Sequence, residues 1–176
     1  IEFILLHSLP LLAFYTGVSI FDWILCLTLY LVRMFFISAG YHRYFSHKTY
    51  NTSRTFQFIL AFGAQTSLQK GVLWWASNHR AHHKYSDTPA DPHSSKIYGF
   101  WYSHIGWITG PEFKRTQFDH IRDLENYKEL KFLNRWYLIP WVIFAATFYF
   151  IGNRVNGTGI TDWGAGLSTL LIGIIL

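Results

Sequence analysis

The chain has 176 residues, of which 51% are apolar, 20% aromatic and only 14% charged, whereas about a quarter of the residues in a soluble domain are charged. This composition argues against an ordinary soluble protein and favours one that lies in a lipid bilayer. The net charge is +5, but the basic residues are mixed with acidic ones, which argues against a nucleic-acid partner.

Four stretches are predicted to span the membrane, because each approaches the roughly 20 apolar residues that a bilayer requires. In chain order they are residues 3–20, 20–39, 136–152 and 160–176. Of the 15 Lys and Arg residues, 13 lie within residues 40–135. Since basic loops stay on the cytoplasmic side, this central region is predicted to face the cytosol.

Two details of the apolar stretches bear on the site. Residues 55–68 are apolar but short for a span, and we expect them to lie at the interface or to re-enter the membrane. The histidines before and after them then share one side of the bilayer.

Arg33 lies inside the second stretch and is expected either to face a partner or cavity or, as favoured, to snorkel along the helix surface.

The stretch "NHRAHH" places three histidines close together. In a helix each residue advances about 100°, so His79, His82 and His83 project within one arc of roughly 100°. Three imidazoles on one face form a metal-binding surface, although a solvated polar face explains such a cluster as well.

A second group occurs in "GYHRYFSHK", at the end of the second predicted span. His42 and His47 are five residues apart, which on an α-helix separates them by roughly 140°. Two neighbouring ions, each taking one of them, fit this geometry better than one shared ion. Taken together, five histidines at one edge of an apolar bundle favour a metal site over isolated polar residues. Imidazole suits zinc, copper and iron, so the ligand type leaves the metal open.

The motifs "GYHRYFSH", "LWWASNHRAHHKYSDTPADPHS" and "GFWYSHIGWI" resemble those of the membrane fatty acyl-CoA desaturases of the stearoyl-CoA type, especially their bacterial relatives. The resemblance covers about residues 30–110. It implies an all-α, multi-pass membrane protein with a bundle of four transmembrane helices and a cytosolic helical cap at about residues 40–135. It also implies that the chain is a partial sequence, with the third histidine box expected after Leu176.

The resemblance implies a non-haem centre of two iron ions. Its first histidine box corresponds to His42 and His47, which would serve different irons, and its second box to His79, His82 and His83. Two further pairs of residues match family positions. Gln69 and Trp75 match positions that shape the acyl tunnel, with an interfacial tryptophan and a solvated glutamine as the alternative. Asp91 and His93 are expected to hydrogen-bond to the ligands or to support the cap rather than to bind metal directly.

The implied reaction is the dioxygen-dependent insertion of a cis double bond into a saturated fatty acyl thioester, with acyl-CoA and carbons nine to ten expected. Removing hydrogen from a methylene needs a redox metal, which selects iron over zinc. The implied electron donor is a ferredoxin or a cytochrome-b-type haem protein with its reductase. The bacterial inner membrane is the expected location, with the histidine boxes facing the cytosol.

Alternatives to this reaction remain open. A sibling di-iron membrane hydroxylase or alkane monooxygenase would reuse the same ligands, and a non-catalytic membrane metal-binding or transport protein would use them without redox chemistry. The acyl carrier is also open among coenzyme A, acyl carrier protein and a glycerolipid, because Lys114 and Arg115 are displaced from the positions that grip the coenzyme in animal members. We expect the 176-residue chain alone to be inactive.

Overall fold

The computed structural model describes residues 8, 11, 18–107, 110 and 115–155, and every regular element among them is a helix. The α-helices are α1 (Ile20–Phe35), α2 (Arg54–Gln65), α3 (Val72–Tyr85), α4 (Ser95–Tyr98), α5 (Lys128–Arg135) and α6 (Ile139–Val155). Two π-helices, Phe36–Ser46 and Tyr102–Gly106, and a 3-10 helix, Phe118–His120, complete the set. The expected all-α class is confirmed for this part of the chain.

One described helix is long and apolar enough to cross a membrane. It runs over Ile20–Ser46, which is α1 continued by the first π-helix, and so covers the second predicted span. Lys128–Arg135 and Ile139–Gly152 pass the same test only if this bent pair is one span. The predicted spans at 3–20 and 160–176 lie outside the described residues, except for residues 8, 11 and 18–20. The bundle of four spans therefore stays a prediction.

The chain divides into two compact units, one comprising Ile1–Phe35 with Leu138–Leu176 and the other Phe36–Tyr137. In the first unit, α1 begins at a capping box. The Ser19 backbone N–H donates to the Asp22 carboxylate at 2.8 Å, and the Asp22 N–H donates to the Ser19 hydroxyl at 3.2 Å. Donors that the first helical turn cannot pair internally are thereby satisfied. The predicted cap, residues 40–135, lies within the second unit.

Arg33 of α1 is buried rather than extended along the surface. Its side chain is 4% exposed, its Nε donates to the Leu29 carbonyl at 3.4 Å, and its guanidinium lies 5.0 Å from the ring centroid of Phe144. The favoured snorkelling arrangement is therefore wrong. The electron-rich face of the Phe144 ring attracts the cation within the same unit, so Arg33 has the partner that an intramembrane charge requires.

In the second unit, α2 packs closely against the first π-helix. Gly40 of the π-helix lies against Leu60 of α2, and Gly63 of α2 lies against the ring of Phe36. Neither glycine has a side chain to hold the backbones apart, so the two helices approach more closely than larger residues would allow. Tyr41 and Leu60, both fully buried, fill the core beside this contact.

The start of α3 is held by two other helices rather than by its own residues. Gly71 precedes it and has no side chain for a cap. Instead, the Trp74 N–H donates to the side-chain carbonyl of Asn134 on α5 at 2.9 Å, and the Val72 N–H donates to the Gln65 side chain of α2 at 3.3 Å. These bonds satisfy N–H groups that every helix start leaves unpaired. They fix α3, which carries His79, His82 and His83.

We predict that Gly63→Ala lowers the free energy of unfolding by about 1–3 kcal/mol, because the new methyl would lie 2.6 Å from ring carbons of Phe36. Equilibrium unfolding in detergent measures this change. In the Phe36→Ala background the same substitution is expected to be neutral or stabilising, since alanine favours a helix over glycine by about 1 kcal/mol. An equal loss in both backgrounds would show that this contact does not set the packing.

Candidate metal centre

Four histidine rings from two separate segments converge in the second unit. One ring nitrogen from each of His42, His47, His79 and His83 lies within 4.8 Å of the others. The Nε2 atom of His47 lies 3.2 Å from that of His42 and 3.2 Å from that of His79. The Nε2 atoms of His79 and His83 are 3.1 Å apart. We call these four residues the histidine group.

The first π-helix brings His42 and His47 to the same side. The His47 N–H donates to the His42 carbonyl at 3.0 Å, an i→i+5 bond, and the two ring centroids are 4.4 Å apart. The separation of roughly 140° holds only for an α-helix, and that expectation is wrong because this segment winds with a wider turn. Short π-helical segments are rare and occur frequently at functional sites. The assignment of the two histidines to different ions stays a prediction.

Helix α3 supplies the other half of the histidine group. His79 and His83 are four residues apart and therefore lie on one face of the helix, with ring centroids 4.6 Å apart. His82 lies beside them, 5.3 Å from the His83 ring, but is not one of the four convergent residues. Its Nδ1 instead forms a 2.7 Å hydrogen bond with the Asp91 carboxylate.

Asp91 is a buried carboxylate that hydrogen-bonds to the ring of His82. It is 1% exposed, and its carboxylate accepts bonds from the N–H groups of His93 at 2.9 Å and Asp87 at 3.1 Å as well as from His82. Burial alone would raise the pKa of Asp91, but the bonds from His82 and the two backbone N–H groups outweigh it and lower the pKa. A carboxylate that accepts Nδ1–H leaves Nε2 of the imidazole free to bind a metal.

His93 packs against His82, and Trp107 packs against His93. The His93 ring centroid lies 4.9 Å from that of His82 and 4.2 Å from that of Trp107. Burial first, and then the nearby His82, lower the pKa of His93. The structure thus places Asp91 and His93, the two residues predicted to support the ligands, next to His82.

The histidine group has the chemistry of a transition-metal ligand set. Burial, together with the neighbouring imidazoles, lowers the pKa of His79 to about 3, and burial with His42 and His83 lowers that of His47. Both rings are therefore neutral at pH 7, which is the form that binds metal. Nitrogens 3.1–3.2 Å apart suit ligands that each lie about 2.0–2.1 Å from one ion. The residues present fit a metal, and zinc, copper and iron all accept such ligands.

The two residues predicted to contact substrate lie together beside this group. The indole Nε1 of Trp75 donates to the Gln69 side-chain oxygen at 3.2 Å. The Trp75 ring stacks on His79, with centroids 4.6 Å apart and planes 19° apart, and it lies 5.3 Å from the Tyr41 ring. Their proximity to the histidine group is thus established, whereas their contact with an acyl chain stays a prediction.

Two residues beside the site, Arg80 and Asp123, were not predicted from the sequence. Arg80 lies inside "HRAHH" and forms a 2.7 Å ion pair with Asp123, which also pairs with Lys48 at 3.0 Å. The position of Arg80 between two candidate ligands was a usable signal. Asp123 has no such signal, because it lies 43 residues further along the chain.

Comparison with known proteins identifies the family. The family model described as "Fatty acid desaturase" matches residues 19–175, so the chain belongs to the fatty acid desaturase family. It is 35% identical over 147 residues to a stearoyl-CoA desaturase of Bos taurus, covering 74% of this chain and 41% of the relative. It is 37% identical over 108 residues to a probable acyl-CoA desaturase of Schizosaccharomyces pombe, covering 59% and 22%.

A third relative is named as an acetylenase rather than as a desaturase. The chain is 29% identical over 179 residues to a hex-5-enoyl-[acyl-carrier protein] acetylenase of Moorena producens, covering 90% of this chain and 55% of the relative. Across the three relatives described, the chain therefore spans about half of the relative's length or less.

We predict that His79→Ala weakens divalent metal binding by more than the roughly 10–100-fold typical of changes in outer-shell partners, because it removes a nitrogen central to the histidine group. Cobalt titration of the detergent-purified protein, followed by visible absorption and chelator competition, measures the affinity. His104→Ala is the matched control, since His104 is exposed and stacks on Phe100. Equal affinity of both variants and the parent would rule out His79 as a ligand.

Proposed function

We propose that the protein is a membrane fatty acyl desaturase that uses dioxygen to insert a cis double bond into a saturated acyl chain. The observation that carries this proposal is the histidine group itself. Four ring nitrogens converge at the end of an apolar helix, in a chain of the fatty acid desaturase family.

We assign two iron ions to the centre, with His42, His47, His79, His82 and His83 among their ligands. Iron, when bound, would supply the dioxygen-activating redox chemistry that hydrogen removal from an unactivated methylene requires and that redox-inert zinc lacks. Support for this choice comes from the family, since an all-imidazole donor set accepts iron but also zinc and copper. Any further ligands lie outside the five histidines named here.

The surrounding residues would prepare these ligands. The lowered pKa values of His79 and His47 keep both rings neutral and ready to bind metal. Asp91 holds the Nδ1 side of His82 and so presents Nε2 as the ligand atom. We assign His93 to the same role of support, because its backbone N–H orients the Asp91 carboxylate.

Gln69 and Trp75 are proposed to guide the acyl chain past the centre. The Trp75 ring stacks on His79 and presents an apolar surface beside the metal ligands, where a methylene chain is preferred over water. The hydrogen bond to Gln69 fixes the orientation of that ring. A rigid indole close to the reacting carbons would thus match the shape of the acyl chain.

The proposed substrate is a fatty acyl-CoA desaturated between carbons nine and ten. The names of the bovine and yeast relatives support coenzyme A as carrier, whereas the name of the Moorena relative supports acyl carrier protein as the alternative to test. Two hydrogens leave the acyl chain, and two electrons with two protons are added, so that dioxygen becomes two waters. The electrons would come from a ferredoxin or a cytochrome-b-type haem protein with its reductase.

The proposed location is the bacterial inner membrane, with the histidine group towards the cytosol. The helix Ile20–Ser46 supports attachment to a bilayer. The concentration of basic residues between 40 and 135 supports the cytosolic side. An electron donor and an acyl thioester made in the cytosol would then reach the centre directly.

We predict that the full-length protein, given stearoyl-CoA, dioxygen and a reconstituted electron donor, forms a monounsaturated acyl product, and that His82→Ala abolishes it while His104→Ala does not. Mass spectrometry of the released fatty acids identifies the product. An alcohol in place of the alkene would identify a hydroxylase. Bound metal with no oxygen consumption would favour a metal-binding or transport protein. Supplying stearoyl-acyl carrier protein in parallel decides between the two carriers.

We predict that Asp91→Ala lowers iron affinity by about 10–100-fold, because His82 loses the carboxylate that orients it. Asp91→Asn retains an acceptor oxygen and is expected to lose less. Asp119→Ala is the matched control, since Asp119 is an exposed aspartate that pairs with Arg122. Competition with a coloured iron chelator gives the three affinities. Unchanged affinity of a folded Asp91→Ala protein would contradict the proposed support of His82.

A further inference from the structure

Arg80 uses every hydrogen-bond donor that its side chain has. Its Nε donates to the Ser46 carbonyl at 3.2 Å. Its Nη1 donates to the His120 carbonyl at 2.9 Å and to Asp123 at 2.7 Å, and its Nη2 donates to the Phe45 carbonyl and to Asp123 at 3.2 Å. A guanidinium has five N–H groups, and all five are paired here while the side chain is only 14% exposed.

Two of the five acceptors are the last carbonyls of the first π-helix. The final turn of any helix leaves its carbonyls without partners inside that helix, and side chains of Arg or Lys can satisfy them. Three earlier carbonyls are paired locally: that of Tyr41 by the Ser46 hydroxyl, that of His42 by the His47 N–H, and that of Arg43 by the Thr49 N–H. Arg80 pairs the carbonyls of Phe45 and Ser46, and it does so from α3.

We propose that Arg80 is a positioning residue, which caps the first π-helix and thereby holds His47 in register with His42 and His79. The inference rests on the proposed metal centre and assigns a further residue to it. His47 directly follows the two carbonyls that Arg80 binds, and Arg80 directly follows His79 in the chain. One guanidinium therefore ties together the two segments that supply the histidine group.

The consequence of losing this cap follows from helix geometry. If the segment rewound into an α-helix, His42 and His47 would be separated by roughly 140°, and the 3.2 Å approach of their Nε2 atoms would be lost. The cap opposes that rewinding because Phe45 and Ser46 carbonyls freed from Arg80 would have to find other donors. Retaining the wide turn therefore retains the approach of His47 to His42.

Asp123 orients the guanidinium from its other side. Burial alone would raise the pKa of Asp123, but hydrogen bonds from Arg80 and Lys48 outweigh it and lower the pKa, so the carboxylate stays charged. A lysine at position 80 would keep the positive charge beside Asp123. It cannot reproduce the planar fork of arginine, which reaches the backbone carbonyls of Phe45, Ser46 and His120 and a carboxylate at the same time.

The test compares Arg80→Lys with the parent protein by hydrogen exchange and iron content, both in detergent. The amides of His47 and Thr49 are expected to exchange about tenfold faster in Arg80→Lys, the factor that corresponds to one lost capping interaction. Bound iron per chain is expected to fall as well. Arg80→Gln, with two N–H donors, should exceed Arg80→Lys in both effects. Arg122→Lys is the matched control, because Arg122 is 78% exposed and pairs with Asp119.

Each outcome decides the proposal. Faster exchange confined to residues 42–50 supports the cap, whereas unchanged exchange at His47 and Thr49 overturns it. Uniformly faster exchange across α2 and α3 also overturns it, since Arg80 would then stabilise the whole unit without selecting a register. If the parent protein binds no iron but the local exchange still rises in Arg80→Lys, the cap stands and the di-iron assignment fails.

Discussion

The i→i+5 hydrogen bond between the His47 amide and the His42 carbonyl determines where the first pair of imidazoles points. With it, the Nε2 atoms of both rings approach within 3.2 Å of each other. An α-helical turn would place them on different sides of the helix. The four-nitrogen group depends on this wider turn, since α3 supplies only His79 and His83.

Glycines and distant caps place the two histidine segments against each other. Gly63 permits close approach of α2 to Phe36 of the first π-helix, and Asn134 and Gln65 hold the start of α3. These contacts join residues far apart in sequence, and they fix the backbone that carries the histidines. A metal centre requires such support because ligands must hold their geometry before the ion binds.

The second histidine box, which comprises His79, His82 and His83, divides into two environments. His79 and His83 face His42 and His47, whereas His82 turns its Nδ1 to the anchored carboxylate of Asp91. This division suits a centre in which different imidazoles serve different ions, as we propose for two irons. It also explains why "HRAHH" and "ADPH" occur in the same short stretch, since the carboxylate of the second motif orients a ring of the first.

Sequence by itself determined the helical class of the described residues, the apolar helix over the second predicted span and the identity of the histidines, because hydropathy and residue chemistry are local properties. Tertiary structure alone decided that His42 and His47 lie together, that His82 pairs with Asp91 and that Arg33 lies beside Phe144. Arg80, which we propose to cap the π-helical turn, belongs to another helix and binds the carbonyls of Ser46 and Phe45. Spacing read on an ideal α-helix could not reveal this turn, since the guanidinium that binds its last carbonyls lies 34 and 35 residues further along the chain.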